Sequence, residues 1–87
     1  MKLKYEFVAR QIAGDYILVP SGASALALSG LITTNEVGAL LMEKLKHEVS
    51  REELIASVLQ DFQVEKTVAA ADVDRFLEMA RKLNILE

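Results

Sequence analysis

The hydrophobic pattern of this chain changes period once, and that change confines it to a narrow class of folds. Up to about residue 33 the apolar side chains alternate, the two-residue repeat of a pleated strand. Beyond that point they recur every three or four residues, the repeat of an amphipathic helix. A chain that runs through its strands before its helices builds an antiparallel sheet with the helices gathered on it. At 87 residues it is one domain, residues 1–87.

Within the first part, Phe7, Ala9 and Gln11 alternate with Val8, Arg10 and Ile12. Ala13-Gly14-Asp15 supplies turn chemistry, because glycine accepts a positive φ without steric penalty. The β-branched and aromatic run Tyr16–Val19 reads as the returning strand of a hairpin. Pro20 ends the pairing, having no N–H to donate. A third strand is expected after Ser21-Gly22-Ala23, with Leu26, Leu28, Gly30 and Ile32 on one face and Ala25, Ala27, Ser29, Leu31 and Thr33 on the other. A glycine inside a strand marks a bulge or the close approach of another backbone.

Three helices follow. The first is expected to open near Thr33-Thr34-Asn35-Glu36, which offers an N-cap residue and a T-x-x-E box. Its stripe is Val37, Leu40, Leu41 and Leu45. The second opens with Ser50-Arg51-Glu52-Glu53, an S-x-x-E box, and carries Leu54, Ile55, Val58, Leu59 and Phe62. The third starts within Glu65–Thr67 and runs to about Leu83, with Val68, Val73, Phe76, Leu77, Ala80 and Leu83 as its stripe. Asn84 stands where a left-handed C-terminal cap belongs. The expected fold is α+β and winged-helix-like: a three-stranded antiparallel sheet followed by a three-helix bundle.

Composition narrows the function. There is no cysteine, so disulfides, thiol nucleophiles and thiolate metal sites are excluded, and a cytoplasmic setting fits. Met1-Lys2-Leu3-Lys4 leads into an alternating segment, which reads as neither signal peptide nor membrane span. The net charge of −3, with Lys and Arg scattered among acids, argues against nucleic acid. His47 is the only histidine and sits at the end of the first helix, where a positive group suits the dipole. Asp72 and Asp74 are two apart on a helix and point to different faces. Glu52-Glu53 opens a helix, where carboxylates are favoured. No residue pattern calls for a catalytic site, a metal or a cofactor.

A succession of short pieces resembles the PqqD family, small proteins related to coenzyme PQQ synthesis protein D. The pieces are Phe7-Val8-Ala9-Arg10, Gly14-Asp15-Tyr16-Ile17-Leu18-Val19-Pro20, Gly30-Leu31-Ile32-Thr33 and Asn35-Glu36-Val37-Gly38-Ala39. Ser50-Arg51-Glu52-Glu53-Leu54, Asp61-Phe62-Gln63-Val64, Asp72-Val73-Asp74-Arg75-Phe76-Leu77 and Asn84-Ile85-Leu86-Glu87 complete the series. Three positions depart from the family pattern. Thr34 stands where leucine is usual, Met42 where tryptophan is frequent, and Asn84 where glycine is usual. The first two are expected in the core around the first helix, and none on the binding surface.

The resemblance implies a non-catalytic peptide chaperone, a recognition element for ribosomally made precursor peptides. Such domains hold the leader segment and present the rest to a modifying enzyme, often a radical SAM protein, as in PQQ biosynthesis. The leader adds as an antiparallel strand to the third strand and packs on the third helix. Mapped here, the docking strand is Ala25, Leu26, Ala27, Leu28, Ser29, Gly30, Leu31 and Ile32. The docking helix contributes Asp72, Arg75, Phe76, Met79, Lys82 and Leu83, with Phe76 as the groove floor and Arg75 or Lys82 facing acidic leader residues. Two other readings fit the same elements. A winged-helix DNA-binding regulator would show salt-dependent DNA binding. A homodimer joined through edge strands would show concentration-dependent sedimentation.

Overall fold

A computed structural model describes residues 1–24 and 31–87. Strands β1 (Phe7–Ile12) and β2 (Asp15–Pro20) form the expected hairpin, in register from Phe7 opposite Pro20 to Ile12 opposite Asp15. The turn between them has only two residues, and both take positive φ, Ala13 at 52° and Gly14 at 89°. That is the pattern of a type I′ turn, whose twist matches that of the flanking strands. Pro20 is the last paired residue, as its missing donor requires.

Strand β3 (Ile32–Thr34) lies antiparallel on the other side of β2, giving the order β1-β2-β3. It differs from the expected strand at both ends. Leu31 is outside it and exposed, while Thr34 is inside it, opposite Tyr16. The part of that expectation covering Ala25–Gly30 lies outside the described residues.

Helix α1 (Glu36–Lys44) begins one residue after β3 ends. Asn35 is its N-cap, and Asn35 Oδ1 accepts the Gly38 N–H at 2.9 Å. The T-x-x-E box does not form, because Thr33 is committed to the sheet. The S-x-x-E box does form at the start of α2 (Arg51–Asp61). Ser50 Oγ accepts the Glu53 N–H at 3.1 Å, and Glu53 Oε1 accepts the Ser50 N–H at 3.0 Å. Helix α3 (Lys66–Lys82) ends with Asn84 at φ 57°. The Asn84 N–H reaches the Arg81 carbonyl and the Ile85 N–H reaches the Ala80 carbonyl, the two bonds of a Schellman motif.

The core lies between the sheet's inner face and the helices. Leu18, Leu41, Leu45, Leu54, Val58 and Val73 are fully buried, and Phe7, Phe76 and Ile85 nearly so. Each such leucine contributes on the order of 2 kcal/mol of transfer free energy. Met42 and Ala69 join this core although the helical stripes omitted them. Leu59, Val68 and Leu83 leave it, being 37%, 46% and 47% exposed, although Ala69 and Ala80 in the end turns of α3 are fully buried. Residues 2–4 close the base. The Leu3 N–H bonds to Leu45, the Lys4 N–H to Ile85, and Leu3 bridges Leu86.

Helices α2 and α3 are also joined at the surface. The Arg51 guanidinium donates to both oxygens of Asp74, at 2.7 and 2.9 Å. These bonds hold the Asp74 carboxyl below the ordinary carboxylate range. The contribution of the pair is therefore present above about pH 4 and is lost as the pH falls through the lowered value. Asp74→Asn should lower the urea midpoint slightly at neutral pH, since exposed pairs are weak. It should also flatten the fall in stability below about pH 4; urea titrations across a pH series would measure both. At the hairpin, a side chain other than asparagine at positive φ is disfavoured by roughly 1–2 kcal/mol. Ala13→Asn should raise stability by about 1 kcal/mol, read as a higher melting temperature with no change in the circular dichroism spectrum.

Candidate functional site

The two-residue turn settles which backbone groups the sheet leaves open. In such a hairpin the residues flanking the turn, Ile12 and Asp15, form a hydrogen-bonded pair. Bonded and non-bonded pairs then alternate, so Ile17 bonds to Arg10 while Tyr16 and Leu18 direct their groups toward β3. Thr34 and Ile32 receive those bonds. Thr33 therefore points its N–H and C=O away from β2, along the outer edge of β3. Among the described residues no strand covers that edge.

Beside the edge lies a cleft of about 240 Å³. One wall is the β3–α1 junction: Thr33, Thr34, Asn35, Val37, Gly38 and Leu41. The other is α3: Asp72, Arg75, Phe76 and Met79, a stripe one turn apart along the helix. Phe76 is 6% exposed and is the floor. Met79 is half-buried, and its unbranched thioether is the most adaptable side chain of the wall. At the rim Arg75 Nη2 donates to Asp72 Oδ1 at 2.7 Å. Its guanidinium keeps further donors for a carboxylate, because the pair uses one of five.

Four of the expected groove residues, Asp72, Arg75, Phe76 and Met79, thus meet in one cleft. Lys82 does not join them; it pairs with Glu78 at 3.3 Å. Leu83 caps the helix end, outside the cleft. Ile32 belongs to the docking strand but faces inward, opposite Leu18. Leu31 precedes the strand, and Ala25, Leu26, Ala27, Leu28, Ser29 and Gly30 lie outside the described residues.

The departures from the family pattern fall differently from expectation. Met42 is buried in the core and Asn84 is the left-handed cap. Thr34, however, lines the cleft. Thr33, Thr34, Asn35, Val37, Gly38 and Leu41 were absent from the expected site, although Gly38 carried a signal. It is a glycine in the first turn of a helix, where alanine is better by about 0.5–1 kcal/mol. It is there because β3 crosses so close: a Cβ on Gly38 would overlap the Thr34 hydroxyl and come within 2.9 Å of the Thr34 Cβ.

The carboxylates weighed for catalysis all have partners, with Glu52 sharing Arg51 with Asp74. Asp72 holds Arg75, Asp74 holds Arg51, and Glu53 closes the capping box. A larger cleft, about 770 Å³, opens between residues 2–9 and α1. Its lysines are already engaged: Lys4 with Asn84, Lys46 with Glu43, and Lys2 with Glu87. The smaller cleft is the better candidate because it lies beside the open edge of β3.

The family model of coenzyme PQQ synthesis protein D matches residues 16–86, and the chain belongs to the PqqD family. Its fold is also that of a solved structure, TbiB1 in complex with the TbiA(beta) leader peptide. The two share 18% identity at a TM-score of 0.70, with all of this chain and 95% of that one covered. No curated protein matches.

The Gly38–Thr34 contact is open to test. Overpacking costs typically about 1–3 kcal/mol, more than the helix propensity that alanine gains. Gly38→Ala should therefore destabilise the domain by about 1–2 kcal/mol net in urea denaturation. Adding Thr34→Ala should recover part of the loss, since only the 2.9 Å Cβ contact then remains.

Proposed function

We propose that this chain is a non-catalytic adaptor that holds the leader of a ribosomally synthesised precursor peptide. The leader adds as an antiparallel strand to β3 and lays apolar side chains into the cleft against α3. The rest of the precursor is thereby presented to a modifying enzyme, such as a radical SAM protein, in the cytoplasm. The observation that carries this reading is the open edge at Thr33 beside an apolar-floored cleft. Main-chain bonds to an edge supply affinity without regard to sequence, and side-chain pockets supply selectivity. Membership of the family and the likeness to a leader-bound relative support it.

The chemistry expected of the guest follows from the walls. A large apolar side chain suits the Phe76 floor, and an acidic neighbour suits Arg75. The enzyme then needs nothing from this chain except position, which agrees with carboxylates that each have a structural partner.

The test is calorimetry with synthetic leader peptides from a precursor encoded beside this gene, followed by Thr33→Pro. Proline removes the outward N–H while leaving the bonds between Ile32, Thr34 and β2 in place. It should weaken binding roughly tenfold or more, because the guest carbonyl loses its partner. An unchanged melting curve shows that the fold is retained. Binding that survives Thr33→Pro undiminished refutes strand addition at this edge.

A further inference from the structure

The open edge at Thr33 decides which side chains of an added strand reach the cleft. Thr33 directs its N–H and C=O outward, so it forms a hydrogen-bonded pair with one residue of an antiparallel guest. Side chains of directly opposed residues share a face of the sheet. Thr33 is exposed and lies on the face away from the helices, beside Ile17. The guest residue bonded to Thr33 therefore also points away from the helices, and its two neighbours point toward them. In an antiparallel pair the following neighbour falls opposite Ile32 and the preceding one opposite Thr34. Thr34 lines the cleft and Ile32 does not.

One guest position is thus singled out: the residue immediately before the one bonded to Thr33. It makes a non-hydrogen-bonded pair with Thr34, the kind in which opposed side chains come closest, with Cβ atoms about 4.5–5.5 Å apart. The cleft, at about 240 Å³, is smaller than the roughly 300–1,000 Å³ of pockets that enclose a whole small molecule. It suits one side chain.

The size of that side chain depends on how far Thr34 intrudes. Thr34 is half-buried between Tyr16 of β2 and the first turn of α1. Its hydroxyl and methyl occupy the space that a Cβ on residue 38 would take. Any larger residue at 38 would displace Thr34 from α1, and the open side is the cleft that both residues line. Glycine at 38 therefore keeps the cleft open, and threonine at 34 sets its near wall.

We infer that Thr34, seated on Gly38, is the specificity-determining residue of the peptide site and sets the largest apolar side chain the guest can carry at that single position. The inference rests on the strand addition proposed for this edge. Apolar pockets discriminate by fit, with one methylene worth about 10–200-fold.

The experiment is calorimetry with the synthetic leader of the precursor encoded beside this gene, each residue replaced in turn by alanine, leucine or tryptophan. Thr34→Ala should shift the tryptophan-to-leucine affinity ratio toward tryptophan by roughly tenfold at one peptide position and leave the ratio elsewhere unchanged. Gly38→Ala should shift the ratio at the same position toward the smaller side chain. N-methylation of the next peptide residue removes the N–H offered to the Thr33 carbonyl and should weaken binding to the wild-type chain. Circular dichroism and melting curves establish that each variant is folded at the temperature used, and Thr34→Ala carries the test alone if Gly38→Ala does not fold. If Thr33→Pro weakens binding while the size preference ignores Thr34→Ala, the inference is overturned and strand addition stands. A preference altered at a position that does not immediately precede the N-methyl-sensitive residue overturns it too. A leader that does not bind, or binds regardless of Thr33→Pro, overturns strand addition and the inference with it.

Discussion

Everything that makes the candidate site a site depends on how closely β3 approaches α1. One residue, Asn35, separates the end of the strand from the start of the helix. It is extended, at φ −105° and ψ −174°, and its side chain reaches forward to the Gly38 N–H. The strand is thus joined to the helix by a capping bond worth about 1 kcal/mol instead of by a flexible loop. Gly38 allows the last turn of the chain before the helix to lie against its first turn, with Thr34 filling the space a Cβ would take. The edge strand is consequently fixed relative to α1, and through the Leu41–Phe76 region of the core to α3.

Fixing that geometry has a consequence for recognition. Ordering a flexible loop or a long side chain on binding costs affinity, at about 0.5–1.5 kcal/mol for each immobilised side chain. In the cleft beside β3, part of the lining is already held in the core. The floor, Phe76, is buried in the core, and the wall residue Leu41 has no exposure at all. Arg75 is exposed at the rim and Met79 half-buried within the wall, and both have long side chains that can adjust. At the base of the domain the segment around Leu3 is tied to Leu45, Ile85 and Leu86 by main-chain bonds.

The elements themselves were legible in the sequence because each had a local cause. Ala13-Gly14 encodes the turn, Ser50 with Glu53 the second helix start, and Asn84 the third helix end. What was not legible depended on neighbours. Val68 and Leu83 have helical spacing but face water, since a period identifies a stripe without saying how much of its width the neighbouring elements cover. Thr33 looked like a capping residue until the pairing with Ile17 claimed it. The same holds for the site. Phe76, Met79, Arg75 and Asp72 were expected because the family resemblance implies docking on that helix, whereas Thr34 and Val37 enter only because the strand and the helix beginning there share one corner.

The pleat gives one three-stranded sheet three separate directions. Even-numbered positions of β2 and β3, Leu18 and Ile32 among them, face the helices and hold the fold. Odd-numbered positions of β2, Ile17 and Val19, face outward together with Val8 and Arg10 of β1. The third direction belongs to the backbone, and at Thr33 it points along the edge. The two faces point in opposite directions and the edge lies perpendicular to both, so a substitution in one leaves the groups in the others nearly where they were. A slip of one residue in register would exchange the first two at once, moving Leu18 into water and Ile17 into the core. The rigid two-residue turn and the direct β3–α1 junction, both at the N-terminal end of β2 where Thr34 lies opposite Tyr16, oppose that slip, and the orientation of the open edge is set by the same two features.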